Sequence, residues 1–250
     1  MKLDYQQLLN EAMTQEGAFG DTFTRFYSYS FMNQLLLQLQ GVKSPVATYK
    51  NWASLGRQVK KGSKAKEIIR PVMVKDEKDS EEYSLRGFKM IKCIFELNET
   101  EGEELAIPEL PKWNKDFALN TLGITMRPFD MLNGNIQGYA RGKQVSINPT
   151  ASDAFGTLLH ELAHIVLGHT DKENSTQASR GIKEFQAETV RYITQKQLGN
   201  DDNANLSESR AYLQQWLGNE KPSDEHVKQI FKAVDSILKA GRPVKEKTNV

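Results

Sequence analysis

A single cysteine, Cys93, in 250 residues excludes an internal disulfide and rules out a thiolate cluster as a set of metal ligands. Long apolar runs are missing too. No stretch approaches the roughly 18 apolar residues of a membrane span, and the opening Met-Lys-Leu-Asp-Tyr-Gln-Gln-Leu-Leu lacks the apolar core of an export signal. The expectation is a soluble, unexported protein of the reducing cytoplasm with no membrane partner. The chain also lacks internal repeats and low-complexity tracts, so any two modules in it are different ones.

Net charge is nearly absent, at +1, but the balance hides a division along the chain. Between Lys43 and Arg70 eight basic residues face one acid, Glu67, giving +7; from Asp76 to Glu104 ten acids face four bases, giving −6. Residues 98–111 lose periodicity and collect Gly102, Pro108, Pro111 and acids, the mark of a linker. This predicts two domains, 1–105 and 112–250.

Periodicity in the first part predicts helices around Leu8, Leu9 and Ala12 and over Phe31–Leu39, with Asn33 and the glutamines on the wetter side. Strands are expected around Val59, over Ile68–Val74 and over Phe88–Leu97, with an acidic loop from Lys75 to Glu82. In the second part a short strand at Ile124–Met126 precedes a hairpin of Ile136–Tyr139 and Gln144–Ile147. Further helices are expected over Ser207–Leu217 and Glu225–Leu238.

The most informative residues are His160, Glu161 and His164, an H-E-x-x-H pattern in a helix-periodic stretch of Phe155, Leu158, Leu159, Leu162, Ala163, Val166 and Leu167. Residues four apart stack on one helix face, so both imidazoles can reach one tetrahedral ion, with Zn2+ the expected metal. Ser152 can cap the start and Gly168 can end the helix. A third ligand is expected from Glu184 on a second helix. Glu161 is the candidate general base for a metal-polarised water. Glu188, one turn past Glu184, is suited to accept the free ring N–H of a ligand histidine. His169 lies about 140° round the helix from His164, which predicts a surface or supporting role. Val145–Asn148 is the candidate strand for accepting an extended peptide, and Tyr139 the candidate oxyanion donor.

In the amino-terminal part, aromatic and cationic residues interleave: Tyr49, Trp52, Arg57, Lys60, Lys61, Lys64 and Lys66. Single-stranded nucleic acid needs a cationic track for phosphates and flat rings for unstacked bases, and this set offers both. The same residues fit a solvated lysine turn and a core tryptophan equally well, so the pattern alone leaves both readings open.

Three stretches carry a wider likeness: Tyr29-Ser-Phe-Met-Asn-Gln-Leu-Leu36, Trp52-Ala-Ser-Leu-Gly-Arg-Gln-Val-Lys-Lys-Gly62 and Phe95-Glu-Leu-Asn-Glu-Thr100. With His160-Glu-Leu-Ala-His164, Glu184-x-x-Ala-Glu188 and Ala211-Tyr-Leu-Gln-Gln-Trp-Leu217, the chain resembles the ArdC-type antirestriction proteins of plasmids and phages, whose carboxy-terminal part is similar to ImmA/IrrE metallopeptidase-like domains. The resemblance implies an α+β protein. A small α+β domain binding single-stranded DNA would precede a mainly helical, zincin-like metallopeptidase domain with a short β-sheet. It further implies protection of entering DNA from host restriction during transfer of a mobile element. Glu99 departs from the glutamine that many relatives carry there. Two other readings remain beside this one: a DNA-tethered zinc metalloprotease acting on a host or element-encoded regulatory protein substrate, and a non-catalytic DNA-binding protein with structural zinc.

Overall fold

The computed structural model describes residues 4–14, 29–75, 83–105, 111–131, 135–171, 178–199, 209, 211–213, 215 and 222–243. The expected acidic loop beyond Lys75, most of the Ser207–Leu217 helix and the end of the chain from residue 244 lie outside these. The chain divides into two compact units, Phe19–Leu110 and a second made of Met1–Ala18 with Pro111–Val250. The expected border near residue 105 is close at one end only. The first helix, α1 (Tyr5–Thr14), belongs to the later unit, a correction to the 1–105 domain: Leu8, Leu9, Ala12 and Met13 are buried there, and Tyr192 donates its hydroxyl proton to the Met13 carbonyl at 3.0 Å.

The unit Phe19–Leu110 is built on a three-stranded antiparallel sheet. Its strands are β1 (Val46–Thr48), β3 (Lys66–Lys75) and β4 (Tyr83–Glu96), in the order β1-β4-β3. Helix α2 (Phe31–Leu39) buries Phe31, Leu35 and Leu37, and Leu37 joins Val42, Val46, Ile68 and Ile94 in one apolar cluster edged by Tyr29 and Cys93. The sequence expectation for Asn33 is corrected here. Asn33 is buried and pairs with the edge of β3, donating to the Ile69 carbonyl at 2.9 Å and accepting the Ile69 N–H at 2.8 Å. Gln40, seven residues on, repeats the exchange with Glu67, at 2.8 Å each way. Two side-chain amides thus satisfy backbone groups that a neighbouring strand would otherwise pair.

A short helix, α3 (Tyr49–Ser54), has no counterpart among the sequence expectations. Thr48 caps it, accepting the Asn51 N–H, and a two-stranded sheet of β2 (Arg57–Val59) and β5 (Thr100–Gly102) follows.

In the second unit α4 (Lys115–Leu122), likewise unexpected from the sequence, leads to a three-stranded sheet of β6 (Thr125–Met126), β7 (Gly138–Arg141) and β8 (Gln144–Ile147). The order is β6-β8-β7, with β6 parallel and β7 antiparallel to β8. β7 pairs along the whole of β8, and β6 occupies its other edge only at Gln144 and Val145, so an added strand at Val145–Asn148 meets one edge filled and the other partly filled; β7 is the outer strand on its side. Three helices form the core beside the sheet: α5 (Ala154–Val166), α6 (Arg180–Gln197) and α7 (Asp224–Ala240). Leu158, Leu159, Leu162, Phe185, Val190, Ile193, Ile230, Phe231 and Val234 are buried between them. Among the described residues no helix is long and apolar enough to cross a membrane.

Candidate metal centre and nucleic-acid surface

Helix α5 starts at Asp153, not at Ser152. The Asp153 Oδ1 accepts the Gly156 N–H at 2.8 Å, and Thr157 Oγ1 donates to the Asp153 carbonyl at 2.7 Å. A carboxylate has a second oxygen to spend, and that is what sets it apart from a serine cap here. The helix ends at Gly168, whose φ of 74° is the left-handed conformation glycine accepts readily. With leucines on its buried face, α5 turns His160, Glu161 and His164 toward α6.

Ser179 caps α6, and the 3.6-residue period that buries Phe185 and Ala187 brings Glu184 and Glu188 one turn apart on the side facing α5. The structure brings His160, His164 and Glu184 together: Nε2 to Nε2 is 3.1 Å, and Glu184 Oε2 lies 3.5 Å from His160 Nε2 and 3.6 Å from His164 Nε2. Glu188 Oε2 stands 2.9 Å from His160 Nδ1. Arg191 then donates to Glu188 Oε1 at 2.7 Å and to Asp153 Oδ2 at 2.8 Å, all three side chains being largely buried. Gly156 makes room for this bridge. A Cβ there would fall on Asp153 Oδ2 and within 2.7 Å of the Arg191 guanidinium.

Burial works to lower the His160 pKa, but hydrogen bonds to Glu184 and Glu188 outweigh it and raise the group to about 9. The hydrogen bond from His160, and after it the nearby His164 ring, hold the Glu184 carboxyl well below the usual range. Glu161 is pushed up by burial, against the pull of the two histidines. His169 is lowered to about 4, first by burial and then by His164.

A cleft of about 550 Å3 opens on this cluster, lined by Ile136, Gln137, Gly138, His160, Glu161 and Glu184 among others. Tyr212 also lines it, its pKa raised by burial and by the charges of Glu184 and Glu188. In the sequence Tyr212 reads only as an apolar helix position. Tyr139, the expected oxyanion donor, instead donates its hydroxyl proton to Asp130 and is not among the residues lining the cleft.

The expected nucleic-acid residues fare unequally. Trp52 is fully buried, and its indole N–H donates to the Phe95 carbonyl at 3.0 Å, so it cannot stack on a base. Arg57 is committed inward, donating to Thr100 Oγ1 at 2.8 Å and to the carbonyls of Thr100, Gly102 and Glu103. Lys66 pairs with Glu99 at 3.0 Å and Glu96 at 3.5 Å. Glu99 thereby serves the interior of this unit, also accepting the Glu96 N–H at 2.8 Å. Lys60 reaches the Asn98 carbonyl at 3.1 Å but stays exposed. Lys61 and Lys64 are exposed, and Tyr49 is 54% exposed. One ring that sequence reasoning missed is Phe88 on β4, 69% exposed with Arg86 and Lys89 close by in sequence.

These features define a two-unit α+β protein with one unit holding a three-donor site suited to a divalent cation. Residues 7–108 match the family model of the N-terminal domain of anti-restriction factor ArdC, and the chain thus carries that domain. Over the whole chain the fold is that of the antirestriction ArdC protein from plasmid R388, solved in a Mn(II)-bound crystal structure. The two are 18% identical, with a TM-score of 0.55 over 97% of this chain and 100% of that one. The metal-free crystal structure of the R388 protein matches at 17% identity, covering 95% of this chain and 94% of that one, with a TM-score of 0.48. No curated protein matches the chain.

Proposed function

We propose that this is an antirestriction protein of a mobile element that binds single-stranded DNA through its amino-terminal domain. We further propose that it holds Zn2+ at His160, His164 and Glu184. The observation that carries the metal part is the triangle of donors at 3.1, 3.5 and 3.6 Å. Ligands about 2.0–2.2 Å from one cation stand about 3.0–3.6 Å apart across octahedral and tetrahedral geometries, so the three atoms can share one ion. Two nitrogens and a carboxylate oxygen also suit zinc by donor type. That the R388 ArdC protein was crystallised with Mn(II) supports a divalent ion at such a site.

A divalent cation there would supply a polarised water and an electrophilic hold on a peptide carbonyl. Glu161 lines the same cleft and is the group to accept a proton at its carboxylate and return it to a leaving amine. Glu188 fixes the His160 ring by taking its Nδ1 proton in a hydrogen bond. A protein substrate of this kind is the further part of the reading, with β7 the outermost strand of its sheet among the described residues and Gly138 on it lining the cleft.

On the DNA side, support comes from the match of residues 7–108 and from side chains free to face phosphates and bases: Lys61, Lys64, Tyr49 and Phe88. The test is metal analysis of the purified chain together with gel-shift titration on single- and double-stranded DNA over a salt series. Stoichiometric zinc and a salt-sensitive preference for single strands are expected; metal-free protein with no strand preference overturns the reading.

A further inference from the structure

The two histidines of the cluster are held by different chemistry. His160 turns its Nδ1 to a carboxylate, but His164 Nδ1 faces another imidazole, with His169 Nδ1 at 3.1 Å. His169 sits in the turn after α5, where its backbone N–H donates to the His164 carbonyl at 2.8 Å. Its other ring nitrogen, Nε2, lies 3.3 Å from Gln186 Oε1. Gln186 is 1% exposed and reaches on to α7, its Nε2 donating to Gln229 Oε1 at 2.9 Å and to the His226 carbonyl at 3.5 Å.

Two ring nitrogens at that distance share one proton, and something else must decide whose it is. Gln186 turns its NH2 end toward α7, where Gln229 Oε1 at 2.9 Å and, more distantly, the His226 carbonyl accept, and so turns its oxygen toward His169. His169 must then carry its proton on Nε2 and offer Nδ1 as a bare acceptor. His164 in turn must donate from Nδ1, leaving the lone pair of Nε2 aimed where His160 Nε2 and Glu184 Oε2 also point. The opposite tautomer would aim an N–H into the cluster.

We infer that His169 is a positioning residue: through Gln229, Gln186 and His169 the fold sets His164 in its Nδ1–H form, ready to give Nε2 to a cation. This rests on the metal reading above and adds a residue to it. Supporting hydrogen bonds of this kind are worth about 10–100-fold in metal affinity.

The experiment uses the full chain, whose histidines number only four. Long-range 1H–15N spectra of the metal-free protein report the His164 tautomer, and chelator competition reports Zn2+ affinity for the parent, His169→Phe and His169→Asn. Expected are a protonated His164 Nδ1 in the parent, a 10–100-fold weaker Zn2+ affinity in the phenylalanine variant and recovery in the asparagine variant, whose Oδ1 can stand where Nδ1 stood. A protonated His164 Nε2 in the parent, or parent-like Zn2+ affinity in His169→Phe, overturns the inference. Should the parent take up no Zn2+, the metal reading fails, while the tautomer measured without metal still decides this one.

Discussion

Arg191 ties Glu188 to Asp153 with bonds of 2.7 and 2.8 Å, and so joins the group that orients His160 to the group that starts the helix carrying His160. The cap, the ion bridge and the imidazole form one closed circuit between α5 and α6. Losing one member of a buried ionic set leaves the others desolvated and unpaired, which is the costly case.

Arg191→Ala is expected to destabilise the second unit by about 3–5 kcal/mol and to weaken metal uptake. Arg191→Lys should recover little, since one ammonium cannot span both carboxylates in the planar fork. Denaturant melts with metal competition check this; a parent-like melt in the alanine variant contradicts the circuit.

Glu161→Gln should keep the metal and abolish any peptide hydrolysis, because the change spares all three donors and removes the proton acceptor. Metal analysis beside an in-cell antirestriction assay separates the roles. Full protection by the glutamine variant would leave the site structural and end the protease reading.

Replacing Lys61 and Lys64 together by alanine should weaken single-strand binding for every sequence and reduce the slope of log K against log salt by about 1.4, at about 0.7 for each phosphate no longer neutralised. An unchanged slope returns both lysines to solvent. Trp52→Ala, by contrast, should cost about 3–5 kcal/mol of stability as a buried aromatic truncation.

Phe88→Ala should leave the melt of the Phe19–Leu110 unit unchanged, since the ring is exposed, and should lower single-strand affinity by about 1–3 kcal/mol if a base stacks there. Binding equal to the parent's removes the β4 face from the DNA surface.

The Tyr29 hydroxyl is pushed up to about 12, by burial first and then by Cys93, against Arg70. Its pKa is higher folded than unfolded, so its contribution to stability is whole below pH about 10 and is lost as pH rises toward 12. Tyr29→Phe should therefore lose less stability than the parent between pH 10 and 12, measured by denaturant midpoints. Identical losses would refute the assignment.

How much of this is legible in the sequence depends on the kind of signal. His160 and His164 are readable because a four-residue step on a leucine-backed helix admits one geometry, and Glu184 and Glu188 because a second helix repeats the step. The circuit is not readable: Asp153 and Arg191 are 38 positions apart, and nothing local marks Gly156 as the gap that lets them meet. Asn33 and Gln40 look solvent-facing, since hydropathy ranks an amide as wet even where it completes a sheet edge. Trp52 and Arg57 are ambiguous by nature, because a stacking platform and a core ring have the same letter. The β3–β4 register decides Phe88's exposure, and one sequence does not display a register.

Because α1 belongs with residues beyond 110, the polypeptide leaves one body after Ala18, completes another, and only then comes back. A ribosome would release the whole Phe19–Leu110 unit before the helices that shelter Leu8 and Leu9 exist. Fragments cut at residue 105 would bare that apolar seam on both pieces. Halves meant for separate assay are better made by excising 19–110 and rejoining the ends with a short linker.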